Sequence, residues 1–320
     1  MELMTLMPRS PWRDLRRDLD RFEDIGIHGV VVADHLFDVH GPDRRTARPG
    51  YDPLTTLAVA ATLNERLELG TMMLNAAWTH PAHLIRSLNQ VAVIADPRRV
   101  LAGLGAGWNP AEFAALGAPM PPFTERLARL ERACLLARKL WDTGIATVPT
   151  VADDLPVAPR PATSPRLFIG GGSAGVLALA GRHADAVDLG PPTHRGRIQG
   201  PVPTRSDAVR RIQTTIDDLA ESMAAVEAAA ALAGRPRPQA SVFVTWVQFC
   251  RSTETADVSA KLCGDLGLPG RDLTRCPYAL VGDEAQVRDQ LAERCERLGL
   301  DRLIVVRAEL DRIAAAVNAL

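Results

Sequence analysis

Three short stretches of the sequence carry residue types that can do chemistry where a chain leaves a strand. Asp34-His35-Leu36-Phe37 directly follows the apolar run Val30-Val31-Val32-Ala33. A histidine at that point can give a proton, or a hydrogen bond, to a group that gains negative charge. It can equally brace its own loop, with Asp34 holding it. Gly170-Gly171-Gly172-Ser173 follows Leu167-Phe168-Ile169 and leads into Ala174 to Ala180, a helical run with no breaker. Glycines at a helix start let backbone N–H groups approach an anion, the helix dipole favours negative charge, and the serine hydroxyl adds a donor. The same four residues also suit a tight strand-to-helix turn. A third stretch, Leu104-Gly105-Ala106-Gly107-Trp108-Asn109, offers a loop where backbone and Asn109 can meet a flat ligand. Trp108 there can instead cover an apolar interior.

Other residues read as scaffolding. Asn75, Trp78, Thr79 and His80 precede Pro81, and Thr79 or His80 suits an N-cap. Glu112, Glu125 and Arg126 read as a solvated charged rim, and Asp153 and Asp154 as loop neighbours facing opposite sides. Gly105-Ala106-Gly107 lacks the third glycine of a dinucleotide fingerprint and meets Pro110 where a helix would have to continue. The sequence contains no HExxH, GxSxG or GxxxxGK[ST] motif, so metal, serine-hydrolase and P-loop chemistry have no positive support.

Such residues need a frame, and the 320-residue chain supplies one by alternation. Short β-branched runs at Leu3–Met7, Val30–Ala33, Leu67–Leu74, Val100–Leu104, Leu167–Ile169, Ala186–Leu189, Val242–Val247 and Leu303–Val306 read as strands buried on both faces. Amphipathic segments lie between them: Trp12–Ile25, Asp52–Asn64, Pro81–Ala95, Thr124–Trp141, Asp207–Ala233 and Gly282–Leu298. Eightfold strand–helix alternation predicts a (β/α)8 TIM barrel spanning residues 1–320 as one domain, with a doubly wound open sheet as the competitor. The strand ends then share one mouth. Thr143–Arg166 and Pro191–Ser206 are proline-rich and read as insertions, the second as a lid.

A net charge of −1 and 4% aromatic residues argue against nucleic acid and anionic membranes as partners. No apolar run approaches the roughly 18 residues of a membrane span, and the N-terminus has no basic region of a signal peptide. Five scattered cysteines form no zinc or disulfide pattern, which predicts reduced thiols in a cytoplasmic protein. The alanine-rich Asp207–Ala233 and the closing Ile313–Leu320 are candidate faces for a homodimer.

Taken together, several segments resemble the bacterial luciferase-like superfamily of flavin monooxygenases and deazaflavin (coenzyme F420) oxidoreductases. They are Val31–Phe37, Asp52–Ala58, Glu65–Thr71, Thr79–Ala82, Gly103–Asn109, Ile169–Gly172 and Val281–Asp283, in that order. The resemblance implies a barrel with a (deaza)isoalloxazine ring in its mouth and a small-molecule substrate beside it. It implies that His35 lies near the ring and protonates or stabilises substrate or ring, with Asp34 beside it. It further implies that Leu74-Asn75 backs the ring, that Gly105, Ala106, Gly107 and Asn109 flank the ring and ribityl chain, and that Gly170, Gly171, Gly172 and Ser173 cradle the phosphate. The motif style and composition favour F420, with FMN and an oxygen-using monooxygenase as the alternative. A silent flavin-binding barrel, and an aldolase or isomerase gripping its substrate's phosphate, are further readings. Sugar-phosphate dehydrogenases of this superfamily carry a glutamate after the GxG and a tryptophan after the histidine. Here those places read Ala106-Gly107 and about Val39, and Thr143–Pro165 lacks their glycine-aromatic hairpin, which argues against oxidation of a sugar phosphate.

Overall fold

The computed structural model describes residues 1–8, 10–37, 50–156, 159–193 and 203–320, the side chains of 203–206 excepted. The chain opens with β1 (Glu2–Leu6), α1 (Trp12–Asp24), β2 (Gly29–Val32) and α2 (Pro53–Leu63). It continues with β3 (Glu68–Thr71), β4 (Leu74–Asn75), α3 (Pro81–Ala95), β5 (Val100–Gly105), α4 (Pro110–Ala115) and α5 (Phe123–Thr143). A hairpin of β6 (Ile145–Val148) and β7 (Ala152–Pro156) precedes β8 (Arg166–Gly171), α6 (Ala174–His183) and β9 (Ala186–Leu189). Next come α7 (Pro203–Gln213), α8 (Ile216–Leu232), β10 (Gln239–Val244), β11 (Trp246–Phe249) and α9 (Thr255–Asp265). β12 (Ala279–Gly282), α10 (Glu284–Leu298), β13 (Leu300–Val305) and α11 (Leu310–Asn318) complete it.

The main sheet runs β3-β2-β1-β13-β10-β9-β8-β5-β4, every pairing is parallel, and β3 also pairs with β5. That last pairing closes the sheet, with β3 and β4 sharing one of eight barrel positions. The predicted (β/α)8 barrel is therefore the observed fold. Inside it Met4, Val31, Leu101, Phe168, Ala186 and Ile304 form one apolar layer. Below that layer Arg302, wholly buried, donates to Glu2 and Glu68, and Arg166 pairs with Glu68. Burial raises the Glu68 pKa, and Arg302 and Arg166 oppose the rise. Glu2, Glu68 and Arg166 begin their strands and Arg302 is third in β13, so this charged layer plugs the face away from the strand ends.

Capping chemistry sets where the helices start. Asp52 accepts from the Thr55 amide with Pro53 at the first helical position of α2, and His80 Nδ1 accepts from Ala82 with Pro81 opening α3. Four expectations are corrected. Asp207–Ala233 is two helices, because Thr214 Oγ1 donates back to Arg210 and Thr215 starts α8 with a reciprocal capping box to Asp218. Thr143–Arg166 contains the β6–β7 hairpin, turned at Thr150 with φ 65°. Leu67–Leu74 breaks into β3 and β4, and Val242–Val247 into β10 and β11, the latter pairing with β12 in a separate parallel ladder. Only the ends of the expected lid Pro191–Ser206 fall among the described residues; 194–202 lie outside them, as does Val39.

Candidate active site

Strand ends and the loops after them bring the sequence-predicted residues to one mouth. Asp34 and His35 follow β2, Asn75 ends β4, Gly105 ends β5, and Gly170-Gly171 end β8. Their immediate partners come from one another. The Asn75 amide donates to Asp34 Oδ2 at 2.8 Å, and Asn75 Oδ1 accepts from the Ala77 amide. Burial pushes the Asp34 pKa up, and the Asn75 amide and His35 pull against it. Gly107 has φ 71°, and a Cβ there would sit on the Asn75 side chain, so the β5 loop and the β4 end fit only with glycine.

The residue most changed by folding is Glu112. It is not a solvated rim group: α4 starts at Asn109, whose Oδ1 accepts from Ala111, and its first turn carries Glu112 inward to 2% exposure. There Leu36 N donates to Glu112 Oε1 at 2.8 Å, and His35 Nδ1 lies 3.1–3.2 Å from both carboxylate oxygens. An ionised carboxylate can only accept, so Nδ1 carries the proton in this pair and Nε2 is left to meet a ligand. The Trp108 ring stands edge-on to His35 at 5.9 Å. The signal available in sequence was Asn109-Pro110, an N-cap and first-position pair that opens a helix just past the GxG and sets Glu112 in its first turn.

Arg126 also departs from the rim reading. It is 1% exposed, donates to the Ala106, Gly107 and Pro121 carbonyls, and stacks on Phe123. One turn on, Arg129 donates to the Ala77 carbonyl and pairs with Glu125. Two arginines of α5 thus pin the two mouth loops that follow β4 and β5.

Glycines shape the floor and far wall. A Cβ at Gly105 or Gly170 would run into Met73, and one at Gly103 into the Thr71 carbonyl and Met73, so above Leu101 and Phe168 the inner faces of β5 and β8 end in bare backbone beside that one flexible side chain. Gly171 has φ 149°, and a Cβ on Gly172 would meet the Pro191 carbonyl. The Thr193 amide donates to the Gly172 carbonyl, locking the loop after β9 against this turn. Ser173 caps α6, its Oγ accepting from Val176 N at 3.4 Å, which leaves the hydroxyl proton to give. The first-turn amides of a ten-residue helix then face the glycine turn with no carbonyl of their own. Bare backbone for a flat ring and a capped helix start for a phosphate fit a flavin-like cofactor. Leu74 is buried in the outer hydrophobic core, so its backbone is the part that can back a ligand. Asn109 spends its Oδ1 on the α4 cap.

The β9–β10 side of the mouth holds a buried polar group. Ser241 Oγ donates to Asp188 Oδ1 at 3.1 Å, and Tyr278 Oη donates to the Leu189 carbonyl. Arg211 lies over the Phe243 and Tyr278 rings and pairs with Asp207 at 2.8 Å. Burial raises the Asp188 pKa to about 6, with Arg211 and Ser241 opposing. Among the described residues no cluster of histidine, cysteine or carboxylate side chains could hold a metal ion, and no helix is long and apolar enough to cross a membrane.

A closed parallel barrel with this mouth defines a class that the family comparison then makes definite. The model of the luciferase-like monooxygenases matches residues 3–200, and the chain belongs to that family. Among curated relatives, an F420-dependent glucose-6-phosphate dehydrogenase of Intrasporangium calvum is 30% identical over 179 residues, 54% of this chain and 52% of that protein. The chain thus matches about half the length of the curated relatives. Among solved structures, an F420-dependent secondary alcohol dehydrogenase in complex with an F420-acetone adduct superposes with TM-score 0.74 at 14% identity, covering 99% of this chain and 98% of the other. The monooxygenase RslO1 from Streptomyces bottropensis gives 0.70 at 20% identity, with 99% and 97% covered. Both likenesses speak to fold.

Proposed function

We propose that the protein is an F420-dependent oxidoreductase that moves a hydride between the deazaflavin and a small organic substrate. The observation that carries this reading is the His35–Glu112 pair in the same mouth as the glycine turn before α6. The relatives named F420-dependent glucose-6-phosphate dehydrogenase support the choice of deazaflavin. When bound, F420 supplies the two-electron acceptor or donor. The protein's own part is to hold it and to handle the proton. Gly170–Ser173 and the first turn of α6 would take its phosphate, and the bare backbone at Gly103 and Gly105 with Met73 would support its ring. Asp34 would keep Asn75 and the β4 end in place behind that ring, through the amide it already holds.

His35 would accept the substrate's proton at Nε2, or return it in the reverse direction, while Glu112 holds Nδ1–H and offsets positive charge on the ring. Trp108, beside His35, would exclude water. The test is the His35→Ala variant, with F420 affinity measured separately from turnover. Loss of about 10²–10⁴-fold in kcat at unchanged affinity is expected, and unaltered kcat would remove His35 from the reaction.

A further inference from the structure

Resting on that reading, the lining of the mouth indicates what meets His35. We propose that the substrate is an uncharged, largely apolar small molecule with a single hydroxyl or carbonyl oxygen, and that Trp108 packs on its body. Leu6, Met72, Met73 and Phe243 lie partly exposed on the interior apolar layer and make the floor. A flat cofactor ring would cover part of that apolar floor, and Trp108 stands next to His35.

Charge among the described residues points the same way. Among the described residues the cations of the mouth are already engaged. Arg126 serves carbonyls of the β5 loop, and Arg129 serves Ala77 and Glu125. Arg210 and Arg211 share Asp207, and Arg211 also faces Asp188. Arg210 Nε and Arg211 Nη1 are buried. Both lysines, Lys139 and Lys261, lie in the surrounding helices α5 and α9. Against methionine, leucine and phenylalanine a sugar phosphate would lose the water around two negative charges and several hydroxyls, and among the described residues of this floor it finds no charged partner in exchange. A cyclic alcohol or ketone loses little, and its one oxygen finds Nε2 of His35.

Isothermal titration of cyclohexanol and of glucose 6-phosphate tests this, on the protein with and without F420, for the wild type, Trp108→Ala and Trp108→Phe. F420 affinity of each protein is measured alongside. The expected result is cyclohexanol bound at least about tenfold more tightly than glucose 6-phosphate, a loss of about tenfold in Trp108→Ala, and most of it restored in Trp108→Phe. Equal or tighter binding of glucose 6-phosphate, or an unchanged cyclohexanol affinity in Trp108→Ala, would overturn the proposal. Absence of F420 binding would instead overturn the deazaflavin reading, and the ranking of the two ligands without cofactor would still decide the substrate class.

Discussion

Glu112 shows how a single side chain can pass from surface to site on folding. Its carboxylate joins the Leu36 amide to His35 Nδ1, so it fixes both the loop after β2 and the ring's tautomer. It touches no reacting atom in this account and acts as a positioning residue. Glu112→Gln keeps an acceptor for Leu36 but removes the charge that balances a protonated ring. The expected outcome is a drop in kcat of about tenfold or more with KM and F420 affinity nearly unchanged, measured by steady-state kinetics and fluorescence titration. A rise in KM alone would mean that Glu112 merely shapes the loop. Sequence made His35 visible because an apolar run ends beside it. Glu112 was hidden because an isolated acidic residue looks solvated unless its helix is known to turn inward.

At the level of elements, what could be read was whatever depends on local rules. Strands buried on both faces announce themselves as unbroken β-branched runs, and prolines at first helical positions mark α2 and α3 to within a residue. Breaks were harder. Asp207–Ala233 has helical composition throughout, and only Thr215 with Asp218 three positions later betrays a new start. The sign of one substitution separates the two pictures. In a continuous helix Thr215→Ala would stabilise slightly, since alanine is the better helix former. At the start of α8 it removes a cap, and a loss of about 1 kcal/mol in urea denaturation is expected. The β6–β7 hairpin escaped for a related reason: its turn uses Thr150 in a left-handed conformation, where glycine or asparagine would have been the signal.

For the whole molecule, the two ends of the barrel carry different burdens. The Arg302–Glu68–Arg166 layer closes one end and holds strands together, and both it and the mouth keep buried charged groups that their partners do not fully compensate. Asp188 is the clearest case, with its pKa raised by burial to about 6 from an ordinary 3.8. A carboxyl whose folded-state pKa is raised holds a proton that the unfolded chain has released. Stability therefore falls as pH rises between about 4 and 6 and levels off above, by on the order of 3 kcal/mol from this group. Asp188→Asn keeps an acceptor for Ser241 and should remove that decline. The difference between wild-type and variant unfolding free energies at pH 4, 5, 6 and 7 reads it directly, and parallel curves would contradict it. The architecture itself was legible because eight alternations leave few ways to close a sheet. The cofactor's identity was less so, because bare backbone and a helix start receive any flavin-like phosphate. Equilibrium titration of the purified protein with oxidised F420 and, in parallel, with FMN and reduced FMN, followed by fluorescence, tests the central claim most directly. The account predicts micromolar or tighter binding of F420 and little of either FMN form; preference for reduced FMN, or binding of none, would contradict it.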